Sequence, residues 1–393
     1  MKKNINDFNF FGKKVLLRLD LNVPIKDGEI ESTKRIDEAI PTIKALIDKN
    51  ARIVIVSHLG KPDGKPDEKL SLKPVYEYLK QKLQAKVYFS KNCANEKMNE
   101  EVNELKNGEV LVLENIRFFK EEEECDDEFS KKLASPFDIF ILDAFGTCHR
   151  KHASTYGVGK YLDSGVGMLV EKELSYLENI LAVGKHPIMA ILGGAKVKDK
   201  LKVIDNLLNK VDVMLIGGGM SYTFLKALNA EVGKSIIDDE QIEYCYKMIK
   251  KAVDLNVKLL LPIDNVCAES LESLDRKVLT LTKMDKNLMA LDIGPKTIKQ
   301  FKKYIKNAKT IIINGPMGVF ENEKFSDGTK EVLKAISKNK KAVKVAGGGD
   351  TIFAIEKFGL ESGFTHLSTG GGASLKLLEG NGLVAINNIK DKN

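Results

Sequence analysis

Several residue types and motifs that would give a quick answer are scarce or missing. The 393-residue chain has five cysteines, Cys93, Cys125, Cys148, Cys245 and Cys267. Their odd number and the lack of any C-x-x-C pair argue against a disulfide framework or a zinc site and fit reduced thiols. No apolar run approaches the roughly 20 residues of a membrane helix. The opening "MKKNINDFNFFG" lacks the apolar stretch and cleavage site of a secretory signal, so a cytoplasmic location is expected. Neither the P-loop pattern G-x-x-x-x-G-K-[ST] nor the dinucleotide fingerprint G-x-G-x-x-G occurs. The second absence argues against a nicotinamide-dependent dehydrogenase.

Arginine is scarce too. Of 62 basic residues only six are arginine: Arg18, Arg35, Arg52, Arg117, Arg150 and Arg276. A chain that uses lysine for generic positive charge keeps arginine where a planar, bidentate fork is needed. Five of the six fall in the first 150 residues. The net charge of +7 favours anionic partners without naming them.

What is present is alternation. Short Val/Ile/Leu runs such as "KVLLRL", "RIVIVS", "EVLVLE" and "DIFILD", then "PIMAIL", "VDVMLIG", "KTIIING" and "KAVKVAG", are separated by helical patterns. Near-continuous apolar strands between helices imply parallel sheets covered on both faces, the α/β class. In "VEKELSYLENILAVGKHP", Val170, Leu174, Leu177 and Leu181 recur at helical spacing before Gly184 and Pro187. This predicts two α/β lobes joined by a helix over 171–186. The acidic run at 120–129, "KEEEECDDEF", reads as a solvated face, and Cys148 as a small filler.

In "VLLRLDLNVP", Leu17, Leu19, Leu21 and Val23 alternate with Arg18, Asp20 and Asn22. Period two puts the polar set on one face of a strand. Taken alone this is a solvent-facing edge. Yet His58 lies at a strand end, Arg117 just past one, Arg150 in the loop after another, and Arg35 opens a helix. Ligands of open parallel sheets bind at the carboxyl ends of the strands. Together these residues describe a pocket for a compact, multiply anionic small molecule. Asp20 and Asn22 would read its hydroxyl or carbonyl groups. Nucleic acid fits less well, because interleaved aromatics are missing.

The second half carries four glycine clusters, "ILGGAKVKDKL", "LIGGGMSYTFL", "VAGGGDTIFAI" and "LSTGGGASLKLL", each read as strand, glycines, helix. A single cluster is an ordinary tight turn. Four suggest backbone N–H groups cradling phosphates. Asp350 and Thr351 follow one cluster, and a carboxylate beside a phosphate suggests Mg²⁺ shared with a nucleotide. Lys196 and Lys200 are placed i,i+4 on the helix after another cluster, with an exposed lysine ridge as the plainer reading. Glu321 in "NGPMGVFE" lies beyond a strand end, within reach of a ribose.

These stretches, with "SHLGKP", "ENIRF", "DAFGTCHRKHAST" and "ALDIGP", resemble the phosphoglycerate kinase family over essentially the whole chain. The resemblance implies two Rossmann-like lobes joined by a hinge helix, with a substrate lobe at 1–170 and the hinge at 171–186. A nucleotide lobe at 187–371 and a returning segment at 372–393 would complete the chain. It implies an ATP-dependent phosphotransferase with a carboxylate acceptor. That enzyme moves a phosphoryl group reversibly between 1,3-bisphosphoglycerate and ADP, giving 3-phosphoglycerate and ATP with Mg²⁺. By resemblance, Arg18, Asp20, Leu21, Asn22, Arg35, His58, Leu59, Gly60, Lys61, Arg117 and Arg150 bind the glycerate. Gly194, Lys196, Lys200, Gly217, Gly218, Gly294, Asn314, Glu321, Gly348, Gly349, Asp350 and Thr351 serve the nucleotide, Asp350 also the metal. Arg35, Lys196, Lys200, Gly371 and Gly372 would meet the transferring phosphoryl group. A monomer is the expected assembly, with no nucleic-acid or membrane partner. Lys61 stands where the family usually has arginine, and Cys148 and Lys151 replace smaller residues. A non-catalytic phosphometabolite- or nucleic-acid-binding protein on the same scaffold is the alternative, and would need one site disabled.

Overall fold

The computed structural model describes residues 1–392 and divides into two units. The first comprises Met1–Leu174 and the C-terminal residues from Gly382 onward; the second is Ser175–Asn381.

The first unit is built on a six-stranded, wholly parallel sheet. In spatial order its strands are Val87–Ser90, Val110–Leu113, Arg52–Val56, Lys14–Leu19, Ile139–Asp143 and Asp163–Val166. Val15, Leu16, Leu17 and Leu19 are all fully buried, as helices on both faces require. Arg18 belongs to this central strand, in register with Val56 and Leu142. It is 1% exposed, so the solvent-facing edge considered for its strand does not exist. The last residues of the chain close this unit: Ala385 N donates to the Cys148 carbonyl at 3.1 Å, and Asn388 Nδ2 to the Tyr156 carbonyl at 2.9 Å.

The second unit has its own six-stranded parallel sheet: Lys258–Leu260, Val213–Ile216, Ile188–Leu192, Thr310–Asn314, Val343–Gly347 and His366–Leu367. Numbered along the chain, this is the order 3-2-1-4-5-6 of a Rossmann sheet. The order reverses between Ile188–Leu192 and Thr310–Asn314, which leaves a crevice outside their carboxyl ends. A three-stranded antiparallel sheet, Asp264–Ala268 with Lys277–Thr280 and Met289–Ile293, was not foreseen. Its first and third strands are almost wholly buried, whereas Lys277–Thr280 is exposed or half-buried throughout.

Two local expectations fail. The segment read as one helix over 171–186 is two, Met168–Leu177 and Asn179–Val183, separated by Glu178 in helical dihedrals. The acidic run is not wholly a solvated face. Helix Lys120–Glu124 turns Glu122 completely inward. A carboxylate there is tolerable only with partners, and it has them, as described next.

Candidate active site

At the carboxyl end of the first sheet the arginines converge on two imidazoles. Arg18 Nε donates to Ser154 Oγ at 2.9 Å, and an Arg18 terminal nitrogen lies 3.2 Å from His58 Nδ1. The guanidinium also donates to the Leu19 carbonyl. Ser154 Oγ in turn donates to Glu122 Oε1 at 2.6 Å, and Ser154 N to Glu122 Oε2 at 2.8 Å. Arg18 is thus held from behind by a buried carboxylate, one hydroxyl away.

Around it, Arg35 pairs with Asp20 at 2.9 Å and Gly60 N donates to Asn22 Oδ1 at 2.9 Å. Arg117 donates to the Gly60 carbonyl at 2.8 Å. Its Nε lies 3.2 Å from Glu123. Arg150 Nε lies 3.4 Å from His149 Nε2. Burial first, and then the positive fields of Arg18, Arg117, Arg150 and Arg35, hold His58 well below the ordinary histidine range. Burial, and then Arg117, Arg18 and Arg150, push His152 down to about 4. Four guanidinium groups acting on one imidazole place the sequence-predicted residues around one centre of positive potential. Leu21 and Leu59 are buried, and Leu59 N donates to Asn115 Oδ1. Lys61 is exposed.

In the second unit the crevice at the strand-order reversal is a cavity of about 580 Å³. Of the predicted residues, Gly194, Gly218, Glu321 and Asp350 line it. Its apolar wall, Tyr222, Leu271, Met289, Leu291 and Val319, was missed, because the wall comes from the unforeseen antiparallel sheet and its neighbours. Three loops meet backbone to backbone beneath it. A Cβ on Gly193 or Gly315 would enter the facing carbonyl, and one on Gly218 (φ +65°) would lie 2.7 Å from both Gly194 N and Pro316 O. Gly217 packs on the Met317 sulfur. For these glycines the tight-turn reading holds: they let loops approach each other.

Gly349 differs. It is exposed, opens helix Gly349–Lys357, and has nothing within 4 Å of a Cβ. Gly348 before it has φ +91° and would touch the Asn314 side chain. Asn314 is 2% exposed at the end of its strand, and its Nδ2 has no hydrogen-bond partner. Thr351 is committed, its hydroxyl accepting Gly315 N at 2.7 Å. Gly371 (φ +49°) caps helix Gly372–Leu378 and faces open space.

Lys196 and Lys200 do not share a helix. Lys196 is an exposed loop residue, and Lys198–Lys200 form a 3₁₀ turn before helix Leu201–Leu208. Lys200 has non-helical dihedrals, which delays the helix start. Its ammonium turns back toward Gly194, and burial lowers its pKa against the opposing pull of Asp199 and Asp350. Gly294 is not at the cavity. It precedes helix Pro295–Asn307 and gives room to Asp264, whose carboxylate accepts Lys296 N at 2.9 Å and Thr297 N at 2.8 Å.

The family model described as phosphoglycerate kinase matches residues 5–381. The chain belongs to the phosphoglycerate kinase family. It is 47% identical over 390 residues to the phosphoglycerate kinase of Dictyoglomus turgidum, covering 99% of this chain and 98% of that one. It is 48% identical over 398 residues to the Clostridium botulinum enzyme, covering 100% and 99%. The solved phosphoglycerate kinase of Coxiella burnetii superposes with a TM-score of 0.92 at 38% identity, over 99% of this chain and 98% of that one. The Pyrococcus horikoshii enzyme gives 0.81 at 33%, over 98% of each. Phosphoglycerate kinases are ATP-dependent phosphotransferases of glycolysis, and phosphoryl transfer between small-molecule substrates, one of them a nucleotide, is this chain's reaction.

Proposed function

We propose that the arginine centre holds 3-phosphoglycerate or 1,3-bisphosphoglycerate and that the crevice of the second unit holds the nucleotide. The observation that carries the first assignment is the convergence of Arg18, Arg35, Arg117 and Arg150 on the neutral His58. A phosphate and a carboxylate supply the negative charge that this cluster has in short supply. Asp20 and Asn22 orient the hydroxyl and carboxylate ends, with Leu21, Leu59 and Gly60 contributing backbone and Lys61 an exposed charge. Glu321, Asn314 and the 348–351 turn serve the nucleotide. Of the remaining nucleotide residues named from the sequence, Gly194 and Gly218 would contact it, and Gly217 and Gly294 would support the surrounding loops.

Phosphoryl transfer asks for alignment and charge neutralisation rather than a nucleophilic side chain. Both acceptors, an ADP phosphate oxygen and a carboxylate, are already ionised. Arg35, Lys196 and Lys200 neutralise the moving group, and the N–H groups at Gly371 and Gly372 receive it. Among the described residues no three His, Cys, Asp or Glu side chains gather into a metal cage. Asp350 lines the crevice, as does Glu321; one carboxylate at the phosphate end is a donor set suited to Mg²⁺ that arrives with the nucleotide and keeps most of its other ligands as phosphate and water. Bound there, the ion would neutralise phosphate charge. Because water competes with the acceptor, we further propose hinge closure about the 171–186 segment when both substrates are bound; scattering profiles unchanged by the two substrates together would contradict it. A monomer in the cytoplasm is the assembly and location proposed. Among the described residues no helix is long and apolar enough to cross a membrane.

Calorimetric titration separates the two assignments. Arg117→Ala should weaken 3-phosphoglycerate at least about tenfold and leave ADP unchanged. Asp350→Ala should lower turnover at least about tenfold and leave 3-phosphoglycerate binding unchanged. Loss of both ligands in either variant would contradict the division.

A further inference from the structure

The first unit has a second recess besides the arginine centre. A groove of about 1150 Å³ runs between the loop and helix at 66–81 and the segments around 28–33, 89–91 and 114–119. Tyr78, Phe89, Phe118 and Phe119 line it, all half-buried. Its charged lining is acidic, with Glu29, Asp67, Glu68, Glu77 and Glu114 against Lys73 and Lys91, in a chain of net charge +7. Glu114 is fully engaged, accepting Ser71 Oγ at 2.7 Å and Leu72 N and Asn115 N at 2.8 Å each. Among the described residues Glu29, Glu68 and Glu77 have no cationic partner.

We propose that this groove is a binding site for an organic cation with an apolar body, such as an arylalkylammonium. Lys82 already lies 5.3 Å over the Tyr78 ring, so the faces of Phe89, Phe118 and Phe119 are left to attract a cation through their quadrupoles, and unpaired carboxylates at the rim add Coulomb attraction. The groove is roomier than a small ligand needs, and its aromatic walls take the apolar part. An anion of the same shape meets repulsion from the same carboxylates.

The site is linked to the arginine centre, a statement that rests on Arg117 holding the glycerate. Asn115 Oδ1 accepts Leu59 N and Arg117 N, both at 3.1 Å. Its Nδ2 donates to the carbonyls of Leu59 at 2.7 Å and Leu70 at 2.9 Å. One amide therefore ties Leu70, next to the groove wall at Ser71, to the backbone of Arg117. A ligand that spreads the groove shifts Leu70 and Phe118 and, through Asn115, Arg117.

The test uses 2-phenylethylammonium as the probe and phenylacetate as its charge-reversed control, titrated calorimetrically into the full chain without substrates. The ammonium should bind with a Kd of about 1 mM or tighter, and phenylacetate at least about tenfold more weakly. Glu68→Gln and Glu77→Gln, both on the surface, should each weaken the ammonium about threefold or more. Absent binding, equal binding of the two probes, or no effect of either variant overturns the site. In assays at saturating ammonium the KM for 3-phosphoglycerate should rise about threefold, and at an ammonium concentration near the wild-type Kd it should rise less in Glu77→Gln than in the wild type. Binding with an unchanged KM overturns the link to Arg117 alone, since the calorimetry does not depend on what Arg117 holds.

Discussion

Arg18 and Ser154 meet at 2.9 Å, guanidinium Nε to hydroxyl, and the same hydroxyl donates its hydrogen bond to Glu122 at 2.6 Å. All three side chains are buried. The hydroxyl thus relays the position of a buried carboxylate to the arginine that faces His58. Ser154→Ala leaves one donor and one acceptor unpaired in a low-dielectric interior, a cost of about 1–3 kcal/mol. Urea unfolding should show that loss, with a KM for 3-phosphoglycerate raised more than kcat is lowered. A Ser154→Ala protein as stable as the wild type would show that the relay carries no weight.

One buried and one half-buried group should give opposite slopes in stability against pH. Burial raises Asp292 to about 8, above its ordinary 3.8, despite hydrogen bonds from Gly328 N and Ile293 N. The folded state then holds a proton the unfolded state has lost, so its contribution is full below about pH 4 and disappears as pH rises toward 8. His152, lowered to about 4 from 6.5, does the reverse: its contribution is present above 6.5 and is lost as pH falls to 4. Thermal unfolding of Asp292→Asn should lose the decline between pH 4 and 8. His152→Gln should lose the rise between pH 4 and 6.5. An unaltered slope in either variant contradicts the corresponding assignment.

The glycines divide into packers and open ones, and two substitutions distinguish them. Gly193→Ala drives a methyl into the Pro316 carbonyl and should cost about 2 kcal/mol or more. Gly349→Val meets open space in a helical conformation. It should leave the unfolding midpoint nearly unchanged and raise the KM for ATP at least about tenfold by blocking approach to the backbone. Gly371→Val is a weaker probe of the same idea, because φ +49° strains any side chain there. It should still harm turnover more than ATP binding, and equal loss of both would contradict separate roles for the two clusters.

The parallel sheets, the strand ends and the arginine residues were legible because period, turn chemistry and residue scarcity are local signals. Arg18 illustrates the limit. Its alternation with Leu17 and Leu19 gave the face correctly, but burial depends on helices packed from elsewhere in the chain. Glu122 was hidden for the same reason. In an acidic run nothing local distinguishes the one carboxylate that meets Ser154. Lys196 and Lys200 were placed on a helix by counting four residues, whereas the turn at Lys198–Lys200 starts that helix later. The apolar wall of the crevice needs the antiparallel sheet, whose strands Asp264–Ala268 and Lys277–Thr280 are short and mix polar with apolar residues.

The account stands most directly on one assay. The full chain is mixed with ADP, 1,3-bisphosphoglycerate and Mg²⁺, and ATP is followed by a coupled reaction. ATP should form in the wild type, fall at least about tenfold in Asp350→Ala, and fall similarly in Arg35→Met, which removes charge beside Asp20. Folded wild-type protein that forms no ATP, or variants that turn over as fast as the wild type, would contradict the account.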